Sequence, residues 1–150
     1  MQLCLYDLNF VKYSLEKLRK SAEETLERLR KRGYKIGLIS DCSPDVPILW
    51  DEFILSKYFD DIAFSSNVKL RKPDKEIYKL LCLKLKVDPK ECYYVGDGGS
   101  NELTGALGVG MTPILIRSKE EEAEKVFKQN GEAWAGERIF SLIELVNLVE

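Results

Sequence analysis

The chain has 150 residues, 45% of them hydrophobic and 32% charged, which is enough for one domain with a sizeable core. Its net charge is −2 with both signs interleaved, so it presents no basic face for nucleic acid and no attraction to an anionic membrane surface. It has no histidine, which removes the commonest general base and zinc ligand, and with them most Ser-His hydrolases, Cys-His proteases and zinc enzymes.

Short apolar runs alternate with longer amphipathic ones. Residues 3–8 read as a strand. Leu15, Leu18, Ala22, Leu26 and Leu29 recur at helical spacing, and Ser21 with Glu24 forms a capping-box pattern at which that helix could break or restart. Gly33 stands where a helix C-terminus needs it, and residues 36–40 form a second strand. Residues 58–64 hold a short helix end and a third strand. Asp74 is placed to cap a helix reaching residue 87, with Ile77, Leu80, Leu81 and Leu85 inward. Asp88-Pro89 marks a turn or a one-turn helix start. Residues 92–95 are a fourth strand, 103–107 a helix and 113–116 a fifth strand. A charged helix over 118–129, an extended piece over 134–140 and a helix over 141–149 complete the chain. Trp50, Phe53 and Ile54 are expected in the core. No apolar run approaches membrane-spanning length, and the N-terminus lacks the basic-then-apolar order of a signal peptide. The cysteines at 4, 42, 82 and 92 form no CxxC pair and read as reduced, which points to a cytoplasmic protein.

Strands separated by helical stretches imply right-handed crossovers and a mostly parallel sheet of five or six strands, an α/β fold in three layers. Ligands in such a fold bind beyond the carboxyl ends of the strands. Asp7 follows the first strand, Ser40 and Asp41 the second, and Asp97 the fourth, with Glu102 five residues on. Lys72-Pro73 precedes a helix. Taken singly, Asp97-Gly98-Gly99 is a turn, Lys72 a solvated charge, Ser40 a cap and Asp7 a cap. Taken in this order they supply a carboxylate, a hydroxyl, an ammonium and an acidic pair. Carboxylates suit magnesium, and a lysine with a hydroxyl neutralises and orients a phosphoryl group.

At these residues the chain resembles the haloacid dehalogenase superfamily, in the branch dominated by magnesium-dependent phosphatases. "IGLISDCS" resembles the second family motif, with Ser40 as the phosphoryl-contacting hydroxyl. "LRKPDKEIY" is similar to the third, with Lys72 as its lysine. "YVGDGGSNELTGALGVGM" resembles the fourth, with Asp97 and Glu102 as the metal-binding acids and Asn101 at the alternative spacing. The resemblance implies a Rossmann-like core, a magnesium ion on Asp7, Asp97 and Glu102, and a small phosphorylated molecule as substrate, in a monomer or weak homodimer. Asp7 is the implied nucleophile, with Ser40 and Lys72 beside it. The front of the chain departs from the pattern. "LYDLNFV" has Asp7 in the nucleophile position but Asn9 in the second, where the family's general acid stands, and an amide cannot act as that acid. Only 32 residues separate Asp7 from Ser40, so no cap domain is expected there. Two arrangements compete: residues 3–8 are a degenerate first-motif strand in a capless core, or the chain is truncated and these residues are the tail of a lost cap. The first fills the slot between the second and fourth strands, which would otherwise leave backbone groups unpaired in the core. The expectation is a magnesium-dependent phosphatase working through an aspartyl-phosphate, fastest on good leaving groups such as aryl or acyl phosphates. Binding of magnesium or phosphate without turnover is the alternative.

Overall fold

The computed structural model describes the backbone of residues 2–5 and 17–20, and backbone and side chains of residues 21–119 and 133–149. Six strands form one parallel sheet: β1 (Gln2–Leu5), β2 (Ile36–Ser40), β3 (Asp61–Phe64), β4 (Cys92–Gly96), β5 (Thr112–Ile116) and β6 (Arg138–Ile139). Their order across the sheet is β3-β2-β1-β4-β5-β6, so the chain winds outward on one side of β1 and then returns to wind outward on the other. Every pairing is parallel. The carboxyl ends of β2, β1 and β4 therefore lie side by side on one edge, at the point where the winding reverses, which is where α/β sheets hold their ligands.

Of the strand expected at residues 3–8, the part to Leu5 is present as β1. It pairs with β2 at Leu3 and Cys4 and with β4 from Gln2 to Leu5, filling the slot between them. Its continuation through Asp7 and Asn9 lies outside the described residues, as does most of the helix expected over 118–129.

The sheet separates two apolar layers, and strand alternation assigns side chains to each. Ile36, Leu38, Val95, Ile114 and Ile116 face one layer, against Ala22, Leu26 and Leu29 of α1 (Lys17–Lys31) and Leu142, Leu145 and Val149 of the C-terminal segment. Ile39, Ala63, Tyr94 and Leu115 face the other, against Ile77, Tyr78, Leu81 and Leu85 of α4 (Lys75–Leu85) and Leu103 and Ala106 of α5 (Glu102–Leu107). Between β2 and α4 lie the short helices α2 (Asp45–Leu49) and α3 (Ser65–Val68). A final short helix is α6 (Leu145–Leu148).

Several expected boundaries are met. Gly33 takes φ +84° just past α1, and the amides of Gly33 and Tyr34 reach back to Arg30 and Leu29. Asp74 caps α4 by accepting the Glu76 amide at 2.9 Å. Asp88 caps the turn Pro89–Glu91 in the same way through the Lys90 amide. The helix does not break at Ser21: α1 runs through it without interruption, and Thr25 Oγ1 donates to the Ser21 carbonyl within it. The apolar stripe spanning that position decides in favour of continuity. Trp50 is buried and meets Phe53, Phe59 and Phe64 ring to ring, Phe53 is half-buried, and Ile54 is exposed.

Candidate active site

The residues singled out at the strand ends fall into two groups: those tied together in the described structure, and those whose polar atoms stand unpartnered. The first group centres on Glu102, the first residue of α5. Its carboxylate is completely buried and accepts from Lys72 Nζ at 2.8 Å, Tyr94 Oη at 2.8 Å and the Gly98 amide at 3.1 Å. Tyr78 Oη, from α4, donates to the Glu102 carbonyl at 2.9 Å. An ion pair with both side chains this deeply buried stands only because further donors satisfy the carboxylate. Lysine carries three N–H donors, so Glu102 fixes the Lys72 ammonium while taking one of them.

Two glycines make this arrangement possible. A Cβ on Gly96, at the end of β4, would sit 2.1 Å from Glu102 Oε1. The carboxylate thus occupies space that any other residue at position 96 would claim. A Cβ on Gly105, three residues into α5, would stand 2.7 Å from Tyr78 Oη and 2.9 Å from the Pro73 carbonyl. Its absence lets α5 close on the segment carrying Lys72, and so lets Glu102 reach it.

Asp97 follows β4 directly and is half-buried. Its Oδ1 accepts the Gly99 amide at 2.7 Å, closing an Asx-type turn, and its carbonyl accepts Arg117 Nε at 2.9 Å from just beyond β5. The turn continues through Gly98, Ser100 and Asn101, all with positive φ. Asn101 is exposed, whereas Glu102 is buried against Lys72.

The second group comprises Ser40 and its neighbour. Ser40 ends β2, is fully buried, and its hydroxyl has no hydrogen-bond partner among the described residues. Asp41 Oδ1 accepts the Lys72 amide at 3.1 Å, while its buried Oδ2 has no partner. Arg117 Nη2 is in the same condition. Buried polar atoms are normally paired, and these three, a hydroxyl, a carboxylate oxygen and a guanidinium nitrogen, lack a partner among the described residues. Ser40, Lys72, Asp97 and Glu102 are thus gathered around the end of β1, and Asp7 follows the last residue of that strand by two positions in sequence.

No group of three or more acidic, cysteine or histidine side chains stands ready to hold a metal among the described residues. The donors nevertheless suit magnesium, which binds through one or two carboxylates and completes its shell with water and phosphate oxygens. Asp97 offers one carboxylate, and Glu102 stands behind it, committed to Lys72.

Tyr94, Tyr78, Asp41 and Arg117 were not assigned roles from the sequence. The period of β4 held a signal for Tyr94, since it shares a face with Gly96, and a phenol pointing into an apolar layer needs an acceptor. Nothing local in the sequence distinguishes Arg117 from a solvated arginine.

The family model for haloacid dehalogenase-like hydrolases matches residues 5–110. The chain belongs to the haloacid dehalogenase-like hydrolases. Among relatives in this family, it is 29% identical over 133 residues to the glyceraldehyde 3-phosphate phosphatase of Pyrococcus furiosus, a match covering 86% of this chain and 53% of that one. It is also 29% identical over 119 residues to the glyceraldehyde 3-phosphate phosphatase of Methanothermobacter thermautotrophicus, covering 77% and 51%. The chain therefore spans about half the length of these curated relatives. A solved phosphatase of the family, from Thermococcus onnurineus, superposes with a TM-score of 0.68 at 27% identity over 95% of this chain and 70% of that one. The fold and the phosphatase-like core expected from the motifs are those of these hydrolases.

Proposed function

We propose that the protein is a magnesium-dependent phosphatase acting on a small phosphorylated molecule through an aspartyl-phosphate. The observation that carries this reading is the buried, unpartnered Ser40 hydroxyl at the carboxyl end of β2, one strand from the Lys72–Glu102 pair and Asp97. A phosphoryl oxygen is the acceptor such a hydroxyl needs, and a fixed ammonium beside it offsets the charge. Similarity to phosphatases of this family supports the same choice.

In this reading an Asp7 carboxylate oxygen attacks phosphorus and the ester P–O bond breaks. Water then cleaves the aspartyl-phosphate, releasing inorganic phosphate and restoring Asp7. Ser40 and Lys72 hold the phosphoryl oxygens in line. Asp97 with Asp7 would hold magnesium, and Glu102 acts from behind, setting Lys72. When bound, the metal supplies charge neutralisation on the phosphoryl oxygens. Asn9 has no proton to give the leaving oxygen, so esters with acidic leaving groups, aryl and acyl phosphates, react best. The test is magnesium-dependent phosphate release from an aryl phosphate, with Lys72→Ala as control. Turnover no greater than the control sinks the reading.

Asn9 itself favours a second reading, in which the core binds phosphate and magnesium without turnover. Phosphate binding with no acid-labile phosphate trapped on the protein would select it. A burst of phosphorylation at Asp7 would exclude it.

A further inference from the structure

Beside Ser40 and Lys72 lies a cleft of ≈ 530 Å³, open to solvent, with Asp41, Cys42, Ser66, Lys69 and Arg71 among its walls. It adjoins the candidate phosphoryl site through two links. Asp41 directly follows Ser40, and its side chain accepts the Lys72 amide. The loop carrying Asp41 is pinned against α3 by the Cys42 amide, which donates to Ser65 Oγ at 3.0 Å. A phosphoryl group held by Ser40 and Lys72 would therefore have the rest of its molecule in or over this cleft.

Its charges are unequal. Among the described residues, Lys69 and Arg71 contribute two cations and Asp41 one carboxylate, leaving one positive charge in excess. The Lys72 ammonium does not add to this, because it is not among the walls of the cleft. Lys69 Nζ uses one donor on the Ser66 carbonyl at 2.7 Å, and a main-chain oxygen leaves its charge uncompensated. Arg71 is exposed and makes no side-chain hydrogen bond or ion pair among the described residues. A guanidinium on a cleft wall, with all five donors available, is suited to a planar carboxylate in two-point contact.

We infer that this cleft receives the leaving group, and that Lys69 and Arg71 select a phosphomonoester whose leaving group carries one carboxylate. The inference rests on the phosphatase reading for the position of the phosphoryl group, and adds to it the class of substrate.

The experiment compares two aryl esters, whose leaving groups need no proton from the protein: 4-carboxyphenyl phosphate and 4-methylphenyl phosphate, in which a methyl replaces the carboxylate. Wild type is expected to favour the carboxylate ester in kcat/KM by about tenfold, the scale that two partly solvated ion pairs supply. In Lys69→Gln/Arg71→Gln the preference falls toward one, mainly through KM. Both residues are exposed, so the double variant folds. Equal kcat/KM for the two esters in wild type, or a preference that survives in the double variant, overturns the inference while leaving the phosphatase reading intact. If the protein hydrolyses neither ester, the phosphatase reading fails, and calorimetric binding of the same two esters decides the inference. Tighter binding of the carboxylate ester to wild type alone upholds it, and indifference rejects it.

Discussion

Removing the Glu102 carboxylate would leave the Lys72 ammonium buried without the oxygen now 2.8 Å away. Breaking one side of such a pair costs about 3–5 kcal/mol, because the surviving charge keeps its desolvation penalty. Glu102→Gln should therefore destabilise by that order. Lys72→Met in the same background should recover much of the loss, since no buried charge then remains. Urea unfolding of the two single variants and the double variant forms the cycle. Additive losses would mean that the pair is not the organising contact of α5. At this scale the sequence was a partial guide. Ser40, Lys72 and Asp97 could be chosen because each follows or precedes an element that sequence periodicity outlines. That Glu102 is occupied by Lys72, Tyr94 and Gly98 could not be read, because its partners come from three segments whose relative placement is set by sheet pairing and by two close glycine contacts.

Strand β4 and helix α5 meet through Gly96, where a Cβ would fall 2.1 Å from Glu102 Oε1. Gly96→Ala must push the carboxylate away or shift the start of α5. Overpacking of this kind costs about 1–3 kcal/mol. The expected signature is a lowered denaturation midpoint together with weaker phosphate binding, because Lys72 moves with Glu102. An alanine variant of unchanged midpoint would show that the carboxylate can leave freely. Helix α1 offers a different test. Glu23 accepts Tyr58 Oη at 2.9 Å and faces Lys57 Nζ at 3.3 Å. The tyrosine hydroxyl first, and the lysine second, hold the Glu23 carboxyl below its ordinary value. A folded-state value below the unfolded one gives stability that is present above the ordinary carboxylate range and lost as pH falls through the folded value. Glu23→Gln should flatten the acid limb of the stability curve slightly, the group being exposed to solvent. Denaturant midpoints for both proteins, from about pH 7 to about pH 3, check this; parallel acid limbs would remove Glu23 from the account. Elements were the most legible scale. The strands following residue 36, the Gly33 stop and the Asp74 cap are local signals, whereas the apparent capping box at Ser21 does not interrupt α1, whose Ala22, Leu26 and Leu29 pack in the core.

Across the whole molecule, the parallel order β3-β2-β1-β4-β5-β6 brings together strand ends far apart in sequence, and a cation held there would clamp both halves of the sheet. The alternation of strands and helices made the three layers legible, but periodicity alone does not give a strand order. The place of β1 followed from the need to pair the backbones of β2 and β4. Metal linkage is testable at this scale through Asp97. Its Oδ1 already accepts the Gly99 amide at 2.7 Å, a bond that an asparagine oxygen can keep, so Asp97→Asn removes the charge while preserving the turn. Without metal, the variant keeps the turn and no longer holds a half-buried charge at position 97. The variant should then be at least as stable as wild type. With magnesium at a hundredfold excess over its dissociation constant, wild type gains about 2.7 kcal/mol, or roughly 5–10 °C in Tm for a chain of this size. Asp97→Asn should lose most of that gain. Thermal unfolding of both proteins, with and without magnesium, supplies the four values required. Equal magnesium-induced shifts in the two would make the Asp97 loop a turn without a metal, and would return Ser40 and Lys72 to a site that holds phosphate by hydrogen bonds and the lysine charge alone.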